Sequence, residues 1–122
     1  MKHPHLIIVD NDDDVRAAVH ALVQEAMPTA HIVDHSACSP ALEQIEVEGA
    51  DLVITNCHMP DMDGPTFVRT LRERQFSQPI IMVSGSDDAR RLGKAAGVDR
   101  FIEKRYLDPD LAHAIHKLLN CA

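Results

Sequence analysis

Residues 52–64 read LVITNCHMPDMDG, an apolar run that stops on an amide and then enters a loop of proline, aspartates and glycine. Leu52-Val53-Ile54 has no polar alternation and is too short for a helix, so it reads as a strand buried on both faces. Pro65 suits the first position of a helix, which then carries Phe67, Val68 and Leu71 toward a core. Strand, short loop and helix together form the unit of a parallel sheet. The strand tip carries Asn56, an uncharged side chain where an α/β protein usually places reactive groups.

The same unit recurs on both sides. Leu6-Ile7-Ile8-Val9 reads as a buried strand, followed by a helix with Val15, Ala18, Val19, Leu22 and Val23 that stops before Pro28. His31-Ile32-Val33 is a weaker strand, and Ser39-Pro40 reads as N-cap and first turn of a helix running to Gly49. Pro79-Ile80-Ile81-Met82-Val83 is the fourth strand, with Ser86-Asp87-Asp88 expected to cap a helix to about Gly97. Arg100-Phe101-Ile102 is a short fifth strand, and Asp108-Pro109 opens a last helix with Leu111, Ile115, Leu118 and Leu119 on one face. Five such units predict one α/β domain over residues 1–122, a parallel sheet with helices on both faces.

Composition agrees with that class. The chain has 122 residues, 45% hydrophobic and 25% charged, enough for one ordinary core. A net charge of −7 argues against direct nucleic-acid binding and against a membrane surface. No window approaches a membrane span and no signal peptide is evident. Three cysteines, Cys38, Cys57 and Cys121, form no CxxC and suit a reducing cytoplasm. The eight histidines show no metal-ligand spacing. No basic partner is evident beside Cys57, which reads as an ordinary thiol.

In an open parallel sheet, ligands bind beyond the carboxyl ends of the strands. Those ends carry Asp10-Asn11-Asp12, Asn56, Ser84-Gly85 and Lys104. Carboxylate and amide oxygens suit Mg²⁺, which shares its sphere with water and phosphate. A hydroxyl, an ammonium and loop N–H groups suit phosphate oxygens. The set reads as a Mg²⁺-assisted phosphoryl site.

Five stretches in this order resemble the receiver domain of bacterial response regulators, the CheY-like family: Leu6 to Asp12, Asp51 to Asn56, Met59 to Gly64, Val83-Ser84-Gly85 and Phe101 to Lys104. The resemblance spans nearly the whole chain. It implies a doubly wound, flavodoxin-like (βα)₅ sandwich with strand order 2-1-3-4-5, the order this family illustrates. It implies a non-enzymatic module of two-component or phosphorelay signalling, served by a sensor histidine kinase or phosphotransfer protein. An output domain, partner protein or second copy would dock on the fourth helix, fifth strand and fifth helix; an output domain in the same chain would lie beyond Ala122. By position, Mg²⁺ would fall to Asp10, Asn11 and the backbone carbonyl of His58. The phosphoacceptor position is Asn56, the switch residues are Ser84 and Phe101, and Lys104 pairs with acceptor and phosphate.

Three positions depart from that pattern. Asn56 replaces the aspartate nucleophile, Asn11 replaces one acid, and Arg105 replaces the proline after the lysine. An acyl phosphate requires an anionic oxygen nucleophile, which a neutral amide does not supply. Two site charges are lost together, so Mg²⁺ is expected to bind weakly or not at all. The chain is then either a phosphorylation-independent interaction module or a normal receiver whose acceptor has been blocked. Plainer roles stay open: helix capping for Asp12, Asp13 and Asp14, helix entry for Ser84, a surface lysine for Lys104 and ordinary core for Phe101. An alternative is a small Mg²⁺-dependent phosphohydrolase resembling the haloacid dehalogenase family, with Asp10 as nucleophile and Asp12 as acid–base. That alternative leaves the Met59 to Gly64 loop unexplained.

Overall fold

A computed structural model describes residues 3–119. Five strands, β1 (His5–Val9), β2 (His31–His35), β3 (Leu52–Thr55), β4 (Ile80–Ser84) and β5 (Arg100–Glu103), alternate with α1 (Asp13–Ala26), α2 (Cys38–Glu48), α3 (Gly64–Glu73), α4 (Ala89–Ala96) and α5 (Leu107–Leu118). All neighbouring pairs are parallel, and the sheet order is β2-β1-β3-β4-β5. This is the expected doubly wound, flavodoxin-like arrangement, and it groups the tips of β1, β3, β4 and β5. Cys121 lies outside the described residues.

Both faces of the sheet are covered, which explains why β1, β3 and β4 are continuous apolar runs. Alternate residues point to opposite sides. Ile7, Val9, Val53, Ile80 and Met82 pack with Phe67, Val68 and Leu71 of α3 and with buried residues of α2 and α4. Leu6, Ile8, Leu52, Ile54, Ile81 and Val83 face Val19 and Val23 of α1 and Leu111 and Ile115 of α5. No helix among the described residues is long and apolar enough to cross a membrane.

Several boundaries differ from expectation for identifiable reasons. Strand β2 continues through Asp34 and His35, because both pair with β1 at Ile8 and Val9. Helix α2 starts at Cys38, one residue before Ser39, and its N-cap residue Ala37 has no capping side chain. Its first N–H groups are satisfied from a distance: Asp61 accepts from the backbone of Cys38 at 3.2 Å and of Ser39 at 2.9 Å. Asp88 stands at the N-cap of α4 but makes no side-chain cap; its carboxylate accepts instead from the Ser86 hydroxyl. Asp108 is non-helical (φ −106°, ψ 119°), since the residue before a proline is disfavoured in the helical region. Regular α5 therefore begins at Pro109, as the sequence suggests.

Asp61 also yields a pH-dependent prediction. Some burial raises its pKa, but the Ser39 N–H and hydroxyl and the N–H groups of Cys38 and Met62 outweigh that and hold it at about 2 against an ordinary 3.8. With the folded value depressed, the contribution is complete above about 3.8 and is lost as pH falls to about 2. Asp61→Ala is expected to cost about 1 kcal/mol at pH 7, typical of a lost cap, and nothing measurable below that window. Urea titrations at the two pH values check it; an equal loss at both would remove the carboxylate from the explanation.

Candidate functional site

Asp10, Asn11, Asn56, His58, Ser84 and Lys104 lie at or just beyond the carboxyl ends of their strands, whereas Phe101 lies within β5, opposite Met82. Asp10 follows β1 and is buried, its N–H bonded to the His35 carbonyl at 3.1 Å. Its Oδ1 accepts from the Asp12 N–H at 2.9 Å, and its own carbonyl accepts from Arg16 at 2.8 Å. Burial raises the Asp10 pKa, an effect opposed by the Asp12 N–H and by the Lys104 and Arg16 cations. Asp12 is occupied elsewhere: its Oδ1 caps α1 by accepting from Asp14 and Val15 at 3.0 and 3.1 Å. Asp13 pairs with Arg16 at 2.7 Å, while Asp14 stands in the acidic first turn of α1.

Asn56 ends β3 and is buried, with its N–H on the Val9 carbonyl at 3.1 Å. Both hydrogens of its amide nitrogen and its amide oxygen are engaged. Oδ1 accepts from the Cys57 N–H at 2.8 Å, and Nδ2 donates to Asn11 Oδ1 at 3.3 Å and to the His58 carbonyl at 3.2 Å. The orientation is over-determined, because a backbone N–H can face only the oxygen and a backbone carbonyl only the nitrogen. The two acceptors are the Asn11 oxygen and His58 carbonyl that the family resemblance assigns to Mg²⁺. The Asn56 amide N–H groups are therefore directed at two of the three positions that a cation would need, and the third, Asp10, is the single anionic ligand of the set. Such a donor set fits Mg²⁺ poorly. Among the described residues, no cluster of three or more histidine, cysteine or carboxylate side chains could hold a metal ion.

The loop after Asn56 is fixed by close packing. Gly64 donates to the Cys57 carbonyl at 2.7 Å, and Asp63 caps α3 by accepting from the Thr66 N–H at 2.8 Å. That Thr66 bond leads the influences that lower the Asp63 pKa. Pro65 at the start of α3 has no N–H to lose. Cys57 is buried, and burial raises the pKa of its thiol, so it is poorly suited to nucleophilic work.

Across the site, Ser84 is buried at the end of β4 and accepts from the Ser86 N–H at 3.2 Å. The His58 ring lies 3.8 Å from Asp88, bringing the loops after β3 and β4 together. Lys104 opens a 3₁₀ turn (Lys104–Tyr106) after β5, its stem beside Gly85. Phe101 is half-buried on β5, with the Arg90 guanidinium 4.7 Å from the centre of its ring. Arg105, in the usual proline's place, bonds Glu103 at 3.0 Å and lies 5.1 Å from the Tyr106 ring.

The sequence reading did not single out two contributors. Arg16 neutralises charge beside Asp10, and its offset from Asp13 on α1 is the local signal that could have marked it. The second, the Cys57 N–H that orients the Asn56 amide, has no sequence signature.

Comparison with known proteins places this geometry. The model of the family described as the response regulator receiver domain matches residues 6–116. Fimbriae Z protein of Escherichia coli K12 is 23% identical over 122 residues, covering 98% of this chain and 58% of its own length. Response regulator Rre1 of Synechocystis is 32% identical over 115 residues, covering 90% of this chain and 48% of its own. The protein-glutamate methylesterase/protein-glutamine glutaminase of Alkalilimnicola ehrlichii is 33% identical over 84% of this chain and 27% of its own. The chain thus spans little more than half the length of the first curated relatives it matches, and less of others. Among solved structures, a CheY-like receiver domain protein from Methanospirillum hungatei superposes with a TM-score of 0.85 at 22% identity, covering 97% and 94% of the two chains. A LuxR-family DNA-binding response regulator from Staphylococcus aureus gives 0.86 at 22%, covering 96% and 99%. At those identities the structural likeness concerns the fold.

Proposed function

This chain belongs to the response regulator receiver domain family, and on that premise we propose that it works in two-component signalling without taking phosphate onto Asn56. Receivers generally act as non-enzymatic modules that meet histidine kinases and output domains, and they generally bind Mg²⁺ at the acceptor. Some relatives join the receiver to an enzyme, as the methylesterase/glutaminase name records. Here the acceptor position carries an amide whose Nδ2 holds Asn11 and the His58 carbonyl. That closed amide is the observation that carries the reading. It supplies no nucleophile, and it holds together by hydrogen bonds the loops that a cation would otherwise join.

In this reading Asn56 is a structural pin at the acceptor position. Asp10 and Asn11 are remnants of a metal site that binds Mg²⁺ weakly or not at all. Ser84, Phe101 and Lys104 retain the switch positions, biased to one state by partners rather than by phosphate. The α4–β5–α5 face serves an output domain, a partner protein or a second copy. The phosphohydrolase alternative fares worse, because it requires Asp12 as acid–base and that carboxylate is committed to two N–H groups of α1.

The test is Asn56→Asp, incubated with Mg²⁺ and acetyl phosphate and read by intact mass. The native chain is expected to gain nothing. The variant is expected to gain one acid-stable, base-labile phosphate slowly, because Asp10, Ser84 and Lys104 are still in place. Phosphate on native Asn56 would sink the proposal. A variant that takes none would extend the loss to Asn11 and Arg105 and make the interaction-module reading the stronger branch.

A further inference from the structure

Beside the acceptor site, and lined by none of Asp10, Asn56 or Ser84, lies a groove of about 390 Å³. One wall is Gly85, Ser86, Asp87 and Arg90; the other is Glu103, Lys104 and Arg105, with Phe101 between them. Three cations thus share one groove in a chain of net charge −7. Among the described residues, Arg90 makes no hydrogen bond or ion pair beyond its contact with Phe101, whereas Lys104 also acts on Asp10 across the site. Of the two acids, Glu103 is already neutralised by Arg105 Nε at 3.0 Å, which leaves the outer nitrogens of that guanidinium without a hydrogen-bond partner among the described residues. Arg90 rests over the Phe101 ring, 4.7 Å from its centre, so its guanidinium is positioned at the groove rather than free in solvent.

We propose that this groove is a binding site for a small organic phosphate with a planar body, of the mononucleotide class. The two guanidinium forks and the lysine ammonium match phosphate oxygens. The volume lies in the range of small-molecule sites, roughly 300–1,000 Å³, and far exceeds what a bare phosphate fills. The Gly85 backbone and the Arg90–Phe101 pair offer surfaces for the rest of the ligand, the guanidinium as a stacking partner for a base. The groove borders the carboxyl ends of β4 and β5, on the ligand-binding end of the sheet but beside the β1–β3 switch point rather than at it. Arg105 gives the groove a cation where the resembling family has a proline. Arg90 and Arg105, which carry the proposal, lie outside the acceptor site, and Lys104 is shared with it.

Adenosine monophosphate is the probe, titrated into the full chain at low salt and followed by amide chemical shifts and calorimetry. Saturable shifts are expected at Gly85, Ser86, Phe101 and Arg105, with adenosine inert and inorganic phosphate at least about tenfold weaker. Arg90→Gln and Arg105→Gln are each expected to weaken binding about tenfold. Arg90→Lys, which keeps the charge without the planar fork, should also weaken it, with all variants melting like the parent. Binding is read on the native chain without Mg²⁺ or phosphodonor, which separates this result from the acceptor experiment. No saturable shift overturns the proposal. So does inorganic phosphate binding as tightly as the nucleotide, affinity unmoved by both arginine substitutions, or an oligoglutamate peptide occupying the same residues more tightly.

Discussion

Gly64→Ala is expected to destabilise the domain by at least about 3 kcal/mol, in the range of severe overpacking. A methyl carbon there would sit 2.0 Å from the carbonyl oxygen of Asn56 and 3.0 Å from the Cys57 Cα. Neither atom can give way cheaply. The Asn56 carbonyl already accepts from the Thr55 hydroxyl at 3.0 Å, and its N–H is bonded to Val9 of the neighbouring strand. The position is closed by contact; its backbone torsions are ordinary. Displacing that carbonyl would also turn the amide away from Asn11 and His58, so acceptor geometry and fold should fail together. The control is Gly85→Ala, where the new carbon meets only the Lys104 stem at 3.9 Å. Urea unfolding of both variants decides it; similar small shifts would show that the loop relaxes freely.

Arg72→Ala is the second large effect, about 3 kcal/mol, and it acts at the other end of the sheet. One guanidinium makes five hydrogen bonds: two to the Gly97 carbonyl, one each to the carbonyls of Phe76 and Gln78, and one to Asp99. Asp99 in turn accepts from the Ile80 N–H at 2.8 Å. The end of α3, the entry to β4 and the turn before β5 are thus joined through one side chain. Lysine, a point charge with a single donor head, should recover little of this. Thermal melts of Arg72→Ala and Arg72→Lys test the claim, and near-parental stability of the lysine variant would reduce the arginine to a simple charge.

The fold was legible because the strands that matter are buried on both faces. Leu6 to Val9, Leu52 to Ile54 and Ile80 to Val83 announce themselves without any partner in view, and proline or glycine marks most helix boundaries. The site was legible as a set of strand tips, because tips converge in this topology whatever the residues are. What escaped was contact between segments distant in the chain. The cap of α2 comes from Asp61, more than twenty positions beyond Cys38, so Ser39 looked like the natural local choice. Ser86 and Asp88 were plausible helix caps yet bond each other. Arg72 is one arginine among several on a polar helix face, and nothing in its spacing announces five bonds. The sequence alone showed that Asn56 lacks a nucleophile, but the direction of its amide depends on the Cys57 N–H and the His58 carbonyl, which only the folded loop presents.

Because the sheet is a solid wall with a separate apolar layer on each side, sequence change should be tolerated as though the domain were two half-proteins sharing a partition. Even chain neighbours on β1 are divided by it: Ile7 belongs to one layer and Ile8 to the other. Truncations on opposite sides, such as Phe67→Ala with Leu111→Ala, should sum to within roughly 0.5 kcal/mol, whereas two cut into one layer should interact. Drift on the α1 and α5 side could then proceed without repacking the layer beneath the acceptor loop.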